Sequence, residues 1–528
     1  MKKAPSTGRK RPARNKSGKP KNTPALGSAS PSGKKGPVKN KSGKPKNTPE
    51  LSAALPGGKT RPVNNKARIP KTKPVKITPM TGADPVREAV HQALLAFGRR
   101  PTNAENLLDR FISRDFKARD RAFFQEILYG TLRWRGRIDA SYERFLSEPP
   151  ERLSQGVREA LRIGVYQIMF MDRVPDHGAV NTSVYLAGQD KGRGARGLVN
   201  AVLRRVLREP FQPPKAIKDR LTIWESHPEW LVKRWIAHLG PEAARARCEA
   251  NNSEGPVVFR ANPWQGSAAR LADILGEEGI PTEPGRVDPD SLWMKPRVGG
   301  GYYSFSKTGS YNAGAFIIQD EASSLAARFS GVGSGQRVLD TCAAPGGKTA
   351  VMAWMAGKRG RVVAADNASS RLGRLKINCA RIGAPVQVIA MDSGNPAFGD
   401  VFDTVFVDAP CSGAGVIRRH PDARWRLREN NFGCHGEEQR ALLVAAAGAV
   451  KLGGWLVYSV CTNEPEETDE VASAMDGGGF VRQPAVDSLP AAAREFVGED
   501  GALRLLPESG RGLDGFFAVR WRRVQEGS

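Results

Sequence analysis

No run of about 18 apolar residues occurs anywhere in the 528-residue sequence, and no apolar stretch follows the charged amino terminus as it would in a secretory leader. The expectation is a soluble, cytoplasmic chain with no membrane partner. Cysteine is scarce: Cys248, Cys342, Cys379, Cys411, Cys434 and Cys461 form no CxxC pair and no zinc-ligand spacing. That speaks against a disulfide framework, a zinc finger or any metal site, and for a reducing compartment. Residues 1–78 contain no aromatic residue and one acid, Glu50, against 22 lysines and arginines, so most of the net charge of +27 sits there. Such a segment cannot bury enough apolar surface to offset its ordering entropy, and residues 1–80 are expected to form a disordered basic tail.

Within the tail, NKSGKPKNTP at residues 15–24 recurs at 40–49. The charge density suits an electrostatic tether to RNA phosphates, with a solubilising extension as the plainer alternative.

From Asp84 the pattern becomes helical. Asp84 is placed to cap a helix that Pro85 begins, Val86, Val90, Leu94 and Phe97 share one face, and Gly98 is expected to close it. Apolar residues at three-and-four spacing predict further helices over 119–134, 153–171, 177–188 and 195–208. Residues 81–212 therefore read as an all-helical domain, on which Arg119, Arg121, Arg133, Arg135, Arg137, Arg193, Arg196, Arg204 and Arg205 offer a candidate RNA-facing surface. Residues 213–310 read as linker helices bearing Trp224, Trp230 and Trp235, then a small α+β module with strands at 257–260 and 291–294 and a helix at 267–278.

Residues 311–528 alternate helix and strand, beginning with a helix over 311–329. Helices are expected at 371–382 and 437–452, strands at 386–390, 402–407 and 454–459, and a closing strand pair at 503–506 and 515–521. Crossovers of this length imply a Rossmann-like, doubly wound α/β sheet. Its centre is VLDTCAAPGGKTA, residues 338–350: a buried strand, a turn where Gly346 and Gly347 let main-chain N–H groups approach a ligand, and a helix start. A second strand at 361–366 ends in Asp366, where ribose hydroxyls would sit. Neither GxxxxGK[ST] nor GxGxxG occurs at this turn, so the expected ligand is an adenosine compound without a polyphosphate.

Four acids fall at strand ends, Asp340, Asp366, Asp392 and Asp408, together with two cysteines, Cys411 and Cys461. A thiol nucleophile and an acid beside an adenosine ligand suggest attack on an electron-poor heterocycle. Position 5 of cytosine becomes reactive towards a sulfonium methyl once a thiolate has added at C6. Lys348 or Arg418 would favour that thiolate.

DTCAAPGGKT at 340–349, DAPCSGAGVIRRHP at 408–421, YSVCT at 458–462 with EPEE at 464–467, and DGFF at 514–517 together resemble the Nol/Nop/Sun family of RNA cytosine-5 methyltransferases. The resemblance implies that Cys461 is the C6 nucleophile and that Cys411 assists product release. It also implies that Cys342, Ala343, Ala344, Pro345, Gly346, Gly347, Lys348, Asp366, Asp392 and Asp408 line an S-adenosylmethionine site, with Asp408 and Lys348 reaching the target base. In the helical segment, DRAFF at 120–124, YGTLRW at 129–134 and VNAVLR at 199–204 resemble the NusB-type RNA-binding domain. Joined, the two resemble bacterial 16S ribosomal RNA methyltransferases and imply a monomer acting on small-subunit ribosomal RNA. A transfer RNA target would use the same chemistry, and an RNA-binding assembly factor without catalysis would use the same helical domain. Val460 stands where relatives often carry threonine, and residues 508–514 lack a histidine common before DGFF.

Overall fold

The computed structural model describes residues 84–113, 115–296 and 305–524, and the basic tail with its repeats lies outside them. Helix α1 (Pro85–Arg99) begins as its sequence dictates: Asp84 accepts hydrogen bonds from the Val86 and Arg87 amides at 3.0 and 3.2 Å. Gly98 does not close it, and the helix runs on to Arg99. There follow α2 (Ala104–Phe111), α3 (Ala118–Arg133), α4 (Arg135–Glu143), α5 (Gln155–Phe170) and α6 (Asp176–Arg208). The last spans both segments expected at 177–188 and 195–208. Glycines between them interrupt the apolar pattern at about 1 kcal/mol each, but buried Val180 and Leu186 at one end and Val199 and Leu203 at the other keep the helix seated in the shared core. That core gathers Val90, Phe97, Phe124, Leu128, Leu161 and Ile163.

Short helix α7 (Ile217–Asp219), a π-helical turn at Arg220–Trp224, α8 (Glu229–Leu239) and α9 (Pro241–Asn252) lead into a four-stranded antiparallel sheet. Its strands are β1 (Val258–Ala261), β2 (Thr282–Pro284), β3 (Ser291–Met294) and β4 (Phe316–Ile318), ordered β2-β3-β1-β4, with α10 (Ala268–Glu277) packed on it. The helix expected over 311–329 is overturned. Helix α11 (Gly309–Asn312) ends at a left-handed Gly314, β4 pairs with β1, and Asp320 caps a new helix, α12 (Glu321–Arg328), by accepting from the Ala322 amide at 2.9 Å.

The large sheet is built from β5 (Arg337–Asp340), β6 (Arg361–Asp366), β7 (Val386–Ala390), β8 (Phe402–Asp408), β9 (Val450–Val460), β10 (Phe480–Arg482), β11 (Leu503–Leu505) and β12 (Phe516–Arg523). Its order is β10-β12-β9-β8-β5-β6-β7, with β11 paired to β12. Strands β5 to β9 are parallel, and β10 to β12 are antiparallel additions. Between them run α13 (Gly347–Ala356), α14 (Ser369–Arg381), α15 (Ala423–Arg426), α16 (Asn430–Ala447) and α17 (Asp469–Ala472). The helix expected to reach residue 452 stops at Ala447, and residues from Val450 already belong to β9. The edge strand β10 was not expected at all.

Period-two alternation puts Val405 and Val407 of β8 against Leu443 and Ala446 of α16, and Phe406 between them with Val338, Val351 and Met352 on the other face. The fold is thus a doubly wound α/β sheet. The chain leaves β5 towards β6 on one side and returns to β8 on the other, which opens a crevice beyond the carboxyl ends of β5 and β8. Among the described residues no helix is long and apolar enough to cross a membrane.

Candidate active site

The loop after β5 enters the crevice. Gly346 has φ +106°, and a Cβ there would stand 2.8 Å from Leu375 Cδ1, so only glycine fits the turn that starts α13. Amides at the start of α13 therefore face the space beyond β5. Asp340 ends β5 fully buried; its Oδ2 accepts from Thr349 Oγ1 at 2.7 Å, while Oδ1 has no hydrogen-bond partner. Burial pushes this carboxyl up to about 7, against the Thr349 bond that favours its charge. Gln319, whose amide would lie 3.3 Å from a Cβ on Gly347, likewise buries an unpartnered Oε1.

Asp366 ends β6 and accepts from the amides of Ala344 at 3.2 Å and Ala368 at 2.9 Å, so it ties the Cys342–Lys348 loop to the neighbouring strand. Asp392 lies exposed just past β7, with Oδ1 accepting from the Gly394 amide at 2.9 Å. Cys342 Sγ sits 3.7 Å from Ser393 Oγ, its thiol pushed up to about 12 chiefly by burial. Ala343, Pro345 and Gly347 complete the loop, with Pro345 exposed.

The other half of the site is set by the pairing of β8 with β9, in register from Asp408 to Ser459. Cys411 and Cys461 follow those strand ends, both half-buried, with their sulfurs 3.0 Å apart. Asp408 shares its carboxylate: Lys348 Nζ donates to Oδ2 at 2.8 Å and Ser459 Oγ to Oδ1 at 3.1 Å. Burial works against the Lys348 charge, but Asp408 outweighs it, and Cys461 adds to the same effect, so the ammonium is held above its ordinary value. Lys348 also lies over the Phe516 ring at 4.9 Å. Cys411 is driven well above an ordinary thiol, first by its hydrogen bond with Cys461, then by burial and neighbouring negative charge.

Arg418 does not serve the thiols. Its guanidinium is buried against Asp514 and Asp320, which also hold Arg419. The candidate RNA-facing arginines divide in two. Arg133 donates to the Arg418 carbonyl at 2.7 Å, Arg135 lies over Trp425, and Arg137 lies between Trp134 and Trp224, so these three join the helical segment to the rest of the chain. Arg119, Arg121, Arg196, Arg204 and Arg205 are exposed, and the Arg193 side chain lies outside the described residues. Trp235 is a core residue that donates to Glu464 Oε1 at 2.8 Å.

Sequence reasoning missed Gln319, Gln439 and Ser459. Ser459 left one signal, a hydroxyl inside the otherwise apolar strand pattern WLVYSV. Gln439 has partners distant in the chain, and Gln319 donates to Ser323 four residues on, with no local mark on either.

An adenosine cofactor fits what is present. Spare buried acceptors on Asp340 and Gln319, amides at the start of α13 and carboxylates at successive strand ends suit a ligand with amino and hydroxyl groups and no phosphate. Family models match residues 332–522 (16S rRNA methyltransferase RsmB/F), 84–208 (NusB family) and 227–298 (a ferredoxin-like domain of RsmF/B-like methyltransferases). The chain is 33% identical over 450 residues to a probable ribosomal RNA small subunit methyltransferase B of Bacillus subtilis, covering 83% of this chain and 98% of that one. It is also 33% identical to the Pseudomonas putida ribosomal RNA small subunit methyltransferase B, covering 77% and 91%. The crystal structure of PH0851 superposes with a TM-score of 0.68 at 25% identity, covering 83% of this chain and 98% of that one. NSun6 from Pyrococcus horikoshii, solved with the S-adenosylmethionine analogue SFG, shares the fold at 20% identity and a TM-score of 0.50, over 57% of this chain and all of that one. A match this even, reaching from the helical segment through the small sheet to the last strand, makes the chain a member of the ribosomal RNA small subunit methyltransferase B family.

Proposed function

We propose that this chain methylates C5 of a cytosine in small-subunit ribosomal RNA, with Cys461 as the transient nucleophile and Cys411 as the group that releases product. One observation carries the reading: two accessible thiols 3.0 Å apart at the tips of neighbouring strands, beside the Lys348–Asp408 pair. Cys342 to Lys348, Asp366, Asp392 and Asp408 hold the cofactor, with Asp340 and Gln319 as additional acceptors. S-adenosylmethionine supplies the electrophilic methyl group.

The Cys461 thiolate forms a bond to C6, and the ring's electrons move towards C5 and N3. Asp408, braced by Lys348 and Ser459, engages the N3/N4 edge, and the Lys348 ammonium offsets the developing charge. After C5 is methylated, loss of its proton to a base returns an electron pair to the ring and breaks the Sγ–C6 bond. Cys411, in contact with the departing sulfur, assists that expulsion. Exposed Arg119, Arg121, Arg196, Arg204 and Arg205, with the basic tail, meet RNA phosphates. The chain divides into the tail (1–80), an RNA-binding helical domain (81–212), a linking module and the methyltransferase domain. Pairing of β4 with β1 supports drawing the end of the linking module at Ile318 rather than at residue 310.

Cys461→Ala should abolish methylation and retain cofactor binding, whereas Cys411→Ala should accumulate protein covalently bound to RNA on denaturing gels. An adduct present in Cys461→Ala and absent in Cys411→Ala would exchange the two roles. Bisulfite mapping of RNA from cells without the protein should show one small-subunit cytosine unmethylated; a loss confined to transfer RNA would overturn the substrate.

A further inference from the structure

We infer that Glu467 is the positioning residue for Cys411: it anchors the turn that carries this thiol and so governs how fast the covalent RNA intermediate is resolved. The inference rests on the thiol roles proposed above. Glu467 is fully buried beyond the end of β9, and its carboxylate holds the residue after Cys411. Oε1 accepts from the Ser412 amide at 2.8 Å, and Oε2 accepts from the Ser412 hydroxyl.

 

Gln439 of α16 closes the other side: its Nε2 donates to Glu467 Oε1 at 3.0 Å and to the Pro410 carbonyl at 2.8 Å. The residues before and after Cys411 are therefore both fixed to one buried carboxylate, directly or through one amide. Tyr458, whose hydroxyl lies 2.8 Å from Gln439 Oε1 and 2.7 Å from the Glu467 carbonyl, fixes this anchor to β9, the strand that carries Cys461. The two sulfurs meet because the two strand tips share this clamp. A buried carboxylate that takes two hydrogen bonds from one serine is costly to desolvate and contributes little to packing. Its geometry is explained by the need to hold one thiol against the other through every turnover.

The test uses the full-length enzyme, S-adenosylmethionine and small-subunit ribosomal RNA, and compares Glu467→Gln, Cys411→Ala and the double variant. Glu467→Gln keeps the shape but can no longer accept both Ser412 bonds on carboxylate oxygens. Displacing a reacting group by a fraction of an ångström to an ångström slows its step on the order of 10- to 100-fold. We expect Glu467→Gln to accumulate the covalent RNA adduct and to slow its decay by that factor. The rate of first-turnover methylation should stay within about threefold, and the double variant should decay no more slowly than Cys411→Ala alone. A loss of first-turnover methylation without adduct, or effects of the two substitutions that multiply, would overturn the inference. If Cys411→Ala itself traps no RNA, the thiol assignment fails and the inference falls with it; if Cys411→Ala traps RNA and Glu467→Gln does not, only the inference fails. Should Glu467→Gln not fold, Gln439→Met removes the Pro410 tie and leaves both Ser412 bonds to Glu467 in place: a smaller rise in the same adduct supports the inference, and an unchanged adduct level overturns it.

Discussion

The helical segment and the carboxyl edge of the large sheet bury charge in opposite ways. In the first, Arg162 lies between Asp139, at 2.7 and 2.8 Å, and Glu159, at 2.7 Å, so opposite charges answer one another inside the fold. At the sheet edge Asp340 is as deeply buried, yet one of its oxygens has no partner and its carboxyl is pushed up to about 7 by desolvation. A closed triad serves the fold, whereas an open acceptor is a cost that a ligand repays. The comparison predicts that substitutions in the two regions separate stability from chemistry.

The largest effect should come from Lys348→Met, which removes the cation shared by Asp408 and the thiol pair. Methyl transfer should fall on the order of 100-fold or more, with a modest change in unfolding midpoint, because the group acts on charge developing in the reaction. Single-turnover methylation beside a urea titration checks this; an equal loss in both would erase the distinction between the regions. Phe124→Ala is the converse. Phe124 is fully buried in the helical core, and its truncation should cost about 3–5 kcal/mol of stability. Methylation per folded molecule at saturating RNA should be retained.

Asp340→Asn sharpens the comparison through pH. The unfolded chain loses this proton near pH 4, whereas burial lets the folded protein keep it up to about 7. The folded state therefore binds the extra proton, and stability falls as pH rises from about 4 through about 7. Asn removes that fall: the cofactor-free variant should be more stable than the parent at about pH 8, by roughly 1–4 kcal/mol, and similar at about pH 4. Cofactor binding should weaken at the same time. Urea midpoints at both pH values test this, and a parallel offset at the two would show that the Asp340 proton is not the cause.

What was legible in the sequence follows the same division. The loop from Cys342 to Lys348, the strand-end acids and the two cysteines were readable because turn chemistry and period-two patterning are local signals. Strand β4 was not, since three residues carry no period and the flanking segments read as helix. The length of α6 was hidden by glycines that a long packed face overrides. The seating of Arg133, Arg135 and Arg137 was hidden because partners lie far off in the chain: the Arg418 carbonyl and Trp425 are almost 300 residues from Arg133 and Arg135, and Trp224 is 87 residues from Arg137.

The smallest effect concerns the arginines left on the surface and the tail beyond them. Removing residues 1–78 takes away 22 cations, and each phosphate they engage adds about 0.7–0.9 to the slope of log affinity against log salt. If the tail tethers RNA, the shortened chain should bind more weakly at low salt and show a slope shallower by about 3 or more, with methylation at saturating RNA unchanged. Filter binding across a potassium chloride series reads this directly. An unchanged slope would leave RNA affinity to the helical surface of Arg119, Arg121, Arg196, Arg204 and Arg205, and the tail would then serve solubility alone.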